Sequence, residues 1–244
     1  MVTYGGDGTV SAAARGLLGT GVPLACIPGG FTNVLARTLG VPRDPAAAAW
    51  HVAELARRRS CREVALATAD GRPYVFAAGV GYSAALMERL AADERFGFVH
   101  ATWHAVAVTA RTIAGDAPRV SIDAGGVEVE AVAVIMQNSD PLTYFGPRPV
   151  RICAGAELGP PGFALAALHS ARIRDVARLA GGALTGRLDW IASHERMTRL
   201  PLVSEARVTS LDPGGMPVEL DGDYLGRRHS LHLGVAEEKL LVLA

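Results

Sequence analysis

The sequence predicts an α/β fold: a partial parallel-sheet nucleotide-binding unit over residues 1–58, followed by a β-rich, sandwich-like α+β domain over 59–244. Three observations carry this. Two glycine turns each stand just before a helix-patterned segment, the second of them directly after a short apolar run. Beyond Arg59 short strand-like runs joined by Asp-Gly and Gly-Gly pairs take over. The last residues return to an apolar strand pattern.

The elements follow in order. Residues 9–18 read as a helix closed by Gly19 and Gly21, and 23–27 as a strand buried on both faces. Thr32 or Asn33 caps a helix that ends before Gly40 and Pro42. Asp44 followed by Pro45 starts another, running to Arg58. Strands are expected at 63–69 and 72–78 around Asp70-Gly71, helices at 82–90 and 98–114, and strands at 119–124 and 127–136 around Gly125-Gly126. Residues 138–162 read as one long irregular loop, with Tyr144 and Phe145 placed to line or gate an apolar slot. A strand at 163–168, a helix near 173–179, strands at 206–210, 218–220 and 231–235, and a final segment at 239–243 complete the chain.

Composition narrows the function. The 24 basic and 24 acidic residues cancel across 244 positions, so no global field recruits nucleic acid or an anionic bilayer. Lys239 is the only lysine. Cys26, Cys61 and Cys153, odd in number and widely spaced, read as reduced structural thiols of a cytoplasmic protein rather than a zinc site. No apolar run approaches the ~18 residues of a transmembrane span, so a membrane is expected to be touched from outside only.

Three segments carry the chemistry. In Gly5-Gly6-Asp7-Gly8-Thr9 the glycines let backbone N–H groups approach a phosphate, and the helix that follows adds its positive end. Asp7 would repel that phosphate unless Mg²⁺ or a transferable proton lies between them, which points to metal organisation or catalysis. The second segment, Pro28-Gly29-Gly30-Phe31-Thr32-Asn33, is again a turn between strand and helix, where open α/β sheets bind ligands. The third, Asp221-Gly222-Asp223, has by itself the spacing of an ordinary hairpin turn.

Taken in order, these segments resemble the diacylglycerol kinase catalytic family, soluble bacterial lipid kinases related to sphingosine kinases and NAD kinases. Residues 5–9 match its Gly-Gly-Asp-Gly-Thr loop, Pro28 to Arg37 its Pro-x-Gly-x-x-Asn-x-x-Ala-Arg segment, Ala78 to Tyr82 its Ala-Gly-x-Gly-aromatic segment, and Asp221 to Asp223 its terminal Asp-Gly-acid turn. The resemblance implies an ATP- and Mg²⁺-dependent kinase acting on the hydroxyl of a diacylglycerol-like or sphingoid lipid at a membrane surface, cytoplasmic and peripheral to the membrane, with a homodimer admitted. It implies that Gly5, Gly6, Gly8, Thr9, Gly29, Gly30, Thr32 and Asn33 hold ATP, that Asp7 organises Mg²⁺ or takes the lipid proton, and that Asp223 is the second candidate base. The chain departs from the family at Val34 and Ser83, where aspartates are common, and at Gly159-Pro160-Pro161-Gly162, where an acidic pair is common. Related kinases also begin with about 60 residues of further strand-helix units, at ~30 per βαβ unit. On this resemblance the chain is expected to be an N-terminally truncated member. The alternatives are an NAD kinase-like enzyme, which shares the first loop, and a catalytically inactive nucleotide- or lipid-binding remnant.

Overall fold

In the computed structural model, which describes residues 1–92, 108, 117–153, 156–170 and 196–244, the chain opens on a strand, β1 (Val2–Gly5), that runs straight into the first glycine loop. Helix α1 (Asp7–Leu17) returns to β2 (Ala25–Pro28), which lies parallel to β1 with Gly5 opposite Pro28. The two glycine loops therefore leave adjacent strands at the same edge, as a parallel pair requires. A short helix α2 (Val34–Thr38) and the longer α3 (Pro45–Arg58) complete this unit. Asp44 caps α3 by accepting from Ala47 N–H, and Arg59 ends it in the left-handed region, φ 54°.

The remaining described strands form two six-stranded sheets and one small hairpin. The first sheet holds β4 (Arg72–Tyr74), β3 (Cys61–Ala69), β16 (Ser230–Leu243), β13 (Ala206–Ser210), β6 (Val120–Ala124) and β7 (Val127–Ala131), in that order. The second holds β12 (Met197–Val203), β11 (Phe163–Leu168), β8 (Ala133–Gln137), β5 (Ala77–Gly81), β14 (Met216–Leu220) and β15 (Asp223–Arg228). Their facing sides bury Ile122, Met136, Leu165, Val208, Val218 and Leu233 in one core, a sandwich arrangement. Helix α4 (Tyr82–Ala91) packs on β5, β14 and β15.

β3 and β16 are covered twice. Ala67 and Leu233 face the sandwich core, whereas Val64, Leu66, Leu240 and Val242 pack with Val10, Leu24 and Leu35 of the N-terminal unit. A bulge between Val235 and Lys239 bends β16, and its end bridges β2's approach: Leu24 N–H donates to Leu241 O at 2.8 Å and Leu243 N–H to Leu24 O at 2.9 Å. The end of β16 thus bridges to the residue just before β2.

Several elements differ from the sequence expectation. The strand expected at 72–78 is two strands in different sheets, because the chain crosses from one sheet to the other at Val75 and Phe76. The run at 127–136 divides in the same way at Val132, whose N–H donates to Leu168 O at the end of β11, the partner strand of β8. The long loop at 138–162 contains an antiparallel hairpin, β9 (Thr143–Phe145) with β10 (Arg148–Val150). β12 and β15 were not expected, and the segments at 231–235 and 239–243 are one strand. The helices expected at 98–114 and 173–179 lie outside the described residues, apart from Val108. Cys61 is exposed, whereas burial pushes the Cys26 thiol up to about 11 and Cys153 up to about 12, so those two are inert at neutral pH.

Candidate functional site

The two glycine loops are stitched together by backbone. Gly29 N–H donates to Gly5 O at 2.9 Å, and a Cβ on Gly30 would stand 2.4 Å from the Gly6 Cα. Gly30 is therefore demanded by the close approach of the neighbouring loop. Gly8 is different: it is exposed, and nothing lies within 4 Å of the Cβ it lacks. No side chain caps α1, so the N–H groups of its first turn face outward unclaimed by a cap, beside open space at Gly8 and Thr9.

Asp7 is built into this junction. Its Oδ1 accepts from Val34 N–H at 2.6 Å and its Oδ2 accepts from the Thr32 hydroxyl. It thus caps α2 from the preceding loop, a task that Asn33, at φ 49°, leaves undone. Asn33 turns back instead: its Oδ1 accepts from Gly30 N–H at 2.8 Å and its Nδ2 donates to Gly30 O at 2.7 Å. Thr32 and Asn33 therefore shape the loops with their side chains, and Gly8 and Thr9 present the open face.

One turn along α1 the third segment joins. Ser11 donates to Asp221 Oδ2, Arg15 Nη1 donates to Ser11 Oγ at 2.8 Å, and the guanidinium stands 3.6 Å from the Asp221 carboxylate, whose side chain is 1% exposed. That carboxylate also accepts backbone N–H groups from Val75 at 3.0 Å, Phe76 at 2.8 Å and Ala77 at 3.2 Å. These are the amides released where the chain changes sheets, so Asp221 satisfies the crossing and fastens it to α1 in one place. Asn138 supports the same crossing, donating to Tyr74 O at 2.6 Å and accepting from Ala67 N–H at 3.2 Å. Asp223, two residues past Asp221, is exposed at the start of β15.

Behind this turn lies Glu219, buried in β14 opposite Gly79 and Tyr224. Its Oε2 accepts from Gly222 N–H at 3.0 Å. Burial pushes its carboxyl up to about 7; Gly222 N–H and the Ser83 hydroxyl oppose that, and Asp221 and Asp223 add to it. Ser83 Oγ approaches the carboxyl without closing a well-formed hydrogen bond. On the opposite side the β9–β10 hairpin docks on α2: Arg37 donates to Gly146 O at 3.0 Å and to Pro147 O at 3.3 Å and lies 3.3 Å above the centre of the Tyr144 ring. Tyr144 accordingly gives one face to a cation, and it also packs against the apolar core of the N-terminal unit.

The loop around Asp7, the loop around Gly30 and the turn at Asp221 are thus three parts of one junction organised by α1. Residues 1–68 match the family model of the diacylglycerol kinase catalytic domain. The fold agrees. A diacylglycerol kinase from Bacillus anthracis superposes with a TM-score of 0.64 at 20% identity, over 99% of this chain and 75% of that one. An NAD kinase from Archaeoglobus fulgidus, in complex with ATP, superposes with a TM-score of 0.54 at 13% identity, over 100% of this chain and 76% of that one. An uncharacterized protein of Synechocystis is 31% identical over 144 residues, which are 59% of this chain and 32% of that protein. The matched region thus spans about a third of the length of that curated relative.

The first two loops that carry the family match were legible from their glycines. Ser11, Arg15, Glu219 and Asn138 belong to no motif in the sequence, and Asp221 reads there as part of a turn. The spacing of Ser11 and Arg15, four apart in an alanine-rich helix, is the one signal that marks a polar stripe there.

Proposed function

We propose that this chain is the catalytic portion of an ATP- and Mg²⁺-dependent kinase that phosphorylates the hydroxyl of a diacylglycerol-like or sphingoid lipid. The observation that carries the reading is the convergence on α1: Asp7 opens the helix beside an uncapped, glycine-lined first turn, and Ser11 on its next turn grips Asp221, two residues from exposed Asp223. The match of residues 1–68 to the diacylglycerol kinase catalytic domain supports it.

The residues present fit a nucleotide phosphate, since the first-turn amides of α1 carry no side-chain cap and Gly8 leaves its outer side open. They also fit Mg²⁺ held by one carboxylate. Each Asp7 oxygen accepts one hydrogen bond and keeps further acceptor capacity. Asp7 would be the protein's ligand to such a cation. No ready-made group of three His, Cys, Asp or Glu stands among the described residues. When bound, Mg²⁺ neutralises charge on the transferring phosphoryl group.

The chain's own residues do the rest. Gly8 and Thr9 amides orient the phosphates, and Thr32 with Val34 holds the Asp7 carboxylate at a fixed direction. Asp223 takes the proton of the lipid hydroxyl as that oxygen attacks the γ-phosphorus; the new O–P bond forms, the β,γ-bridging O–P bond breaks and ADP leaves. Positioning supplies most of the rate, because phosphoryl transfer asks little covalent chemistry of the protein.

Labelled ATP with diacylglycerol or sphingosine in mixed micelles is expected to give a labelled phospholipid, and Asp7→Asn and Asp223→Asn each to abolish it. NAD in place of the lipid tests the NAD kinase-like alternative, and ATP binding without transfer to any acceptor would establish the inactive remnant.

A further inference from the structure

We propose that Glu219 is a positioning residue for Asp223, gripping the Asp221-Gly222-Asp223 turn through the Gly222 amide in a proton-dependent manner. This rests on the kinase reading above, which assigns Asp223 its role.

The two ends of the turn are held by different means. Asp221 is immobilised by Ser11, Arg15 and the amides of Val75, Phe76 and Ala77, whereas Asp223 is exposed and enters β15 paired with Leu220. Between them stands Gly222, at φ 89°. Glu219 Oε2 takes its N–H at 3.0 Å. The peptide that leads into Asp223 is thus set by the hairpin ladder together with a bond whose acceptor is a buried carboxyl.

The sheet makes room for that carboxyl. Glu219 lies opposite Gly79 of β5, and a Cβ there would stand 2.3 Å from Glu219 Oε1 and 2.2 Å from Ser83 Oγ. Any other residue at Gly79 would expel Glu219 from its seat. An apolar side chain at 219 would fill a buried strand position without strain, so a carboxyl enclosed there has to be explained by what it holds.

Its charged surroundings come from each packed element. The turn brings Asp221 and Asp223, and β15 brings Tyr224 and Arg227. From α4 come the Ser83 hydroxyl and Glu88, the latter engaged with Tyr224 Oη at 2.6 Å and with Arg227. β5 contributes only Gly79. No cation is among the groups that act on Glu219. Ionised, it is a charge-assisted acceptor that holds Gly222 firmly; protonated, it holds it weakly. With burial placing the exchange at about 7, the two states interconvert near neutrality.

The test reads the turn and the reaction separately, on the full chain. The amide ¹⁵N shift of Gly222 is followed by NMR from pH 5 to 9 in the wild type and in Glu219→Gln, whose side-chain oxygen still accepts the bond. A titration near pH 7 that vanishes in Glu219→Gln is expected. In the lipid kinase assay the pH profile of kcat is expected to lose its inflection in Glu219→Gln, and Glu219→Ala to lower kcat by about tenfold with KM for ATP unmoved. A Gly222 amide that does not titrate, or an inflection that persists unchanged in Glu219→Gln, overturns the proposal. If the Gly222 titration is present but no acceptor is phosphorylated at any pH, the kinase reading fails and the claim on Asp223 fails with it.

Discussion

Ser11 and Asp221, 210 positions apart in the chain, share a hydrogen bond that joins the helix behind the first glycine loop to the turn before the last strands. Around it the Asp221 carboxylate collects a guanidinium and the amides of Val75, Phe76 and Ala77 with its side chain only 1% exposed. Removing one member of so buried an arrangement leaves the rest unpaired. Asp221→Ala is expected to destabilise the fold by about 3–5 kcal/mol, and Ser11→Ala by about 1–3 kcal/mol. Urea unfolding of the two variants and of the double variant measures both losses and their coupling.

The capping role of Asp7 is separable from the role in the reaction proposed for it. Asn at position 7 keeps an oxygen for Val34 N–H, so Asp7→Asn is expected to change stability by no more than about 1 kcal/mol, the worth of a helix cap. Phosphoryl transfer is expected to fall at least about 100-fold. Matched denaturation and turnover measurements test this; equal losses in both would make Asp7 a cap alone.

Gly8 and Gly30 are both glycines of the candidate phosphate loops, and they are predicted to fail differently. Gly30→Ala drives a Cβ to 2.4 Å from the Gly6 backbone, so the loops must part, at an expected cost of about 1–3 kcal/mol. Gly8→Ala meets no atom and sits in the first turn of α1, so it is expected to gain about 0.5–1 kcal/mol in stability. The methyl group then stands where a phosphate would lie. ATP affinity measured by calorimetry should drop in Gly8→Ala although the protein is more stable.

Glu219 also predicts how stability depends on pH. Its carboxyl is raised from 4.5 to about 7 on folding, so the folded state binds its proton more tightly than the unfolded chain does. Its stabilising contribution is complete below about 4.5, declines as pH rises and is lost above about 7. The swing is on the order of 3 kcal/mol by the usual conversion of a pKa difference. Glu219→Gln is expected to flatten this component of the stability profile between pH 5 and 8, read by thermal or urea unfolding at each pH.

Much of the first unit was legible because its signals are local. Asp44-Pro45 caps and starts α3 from adjacent residues, and the glycine clusters at 5–8 and 29–30 mark the two loops, although the close approach that demands Gly30 comes from Gly6 of the other loop. The sandwich strands were legible as strands wherever alternation or a hairpin pair framed them. Their assignment to sheets was not. Residues 72–78 read as one β segment because Val75 and Phe76 have ordinary strand side chains. What breaks the segment is a carboxylate some 145 positions later, taking the amides that a ladder would have used.

The sequence by itself determined that two glycine loops precede helices, that a carboxylate sits within the first, and that a β-rich half follows. Only the tertiary structure decided that Asp7 caps the neighbouring helix, that Thr32 and Asn33 turn their side chains inward, and that Asp221, not merely its turn, is the fastening between α1 and the sheet crossing. The physical reason is the range of the forces. Backbone preference and hydrophobic alternation are written in neighbouring residues, whereas the partner of a buried polar group is fixed only when distant segments are brought within about 3 Å of each other.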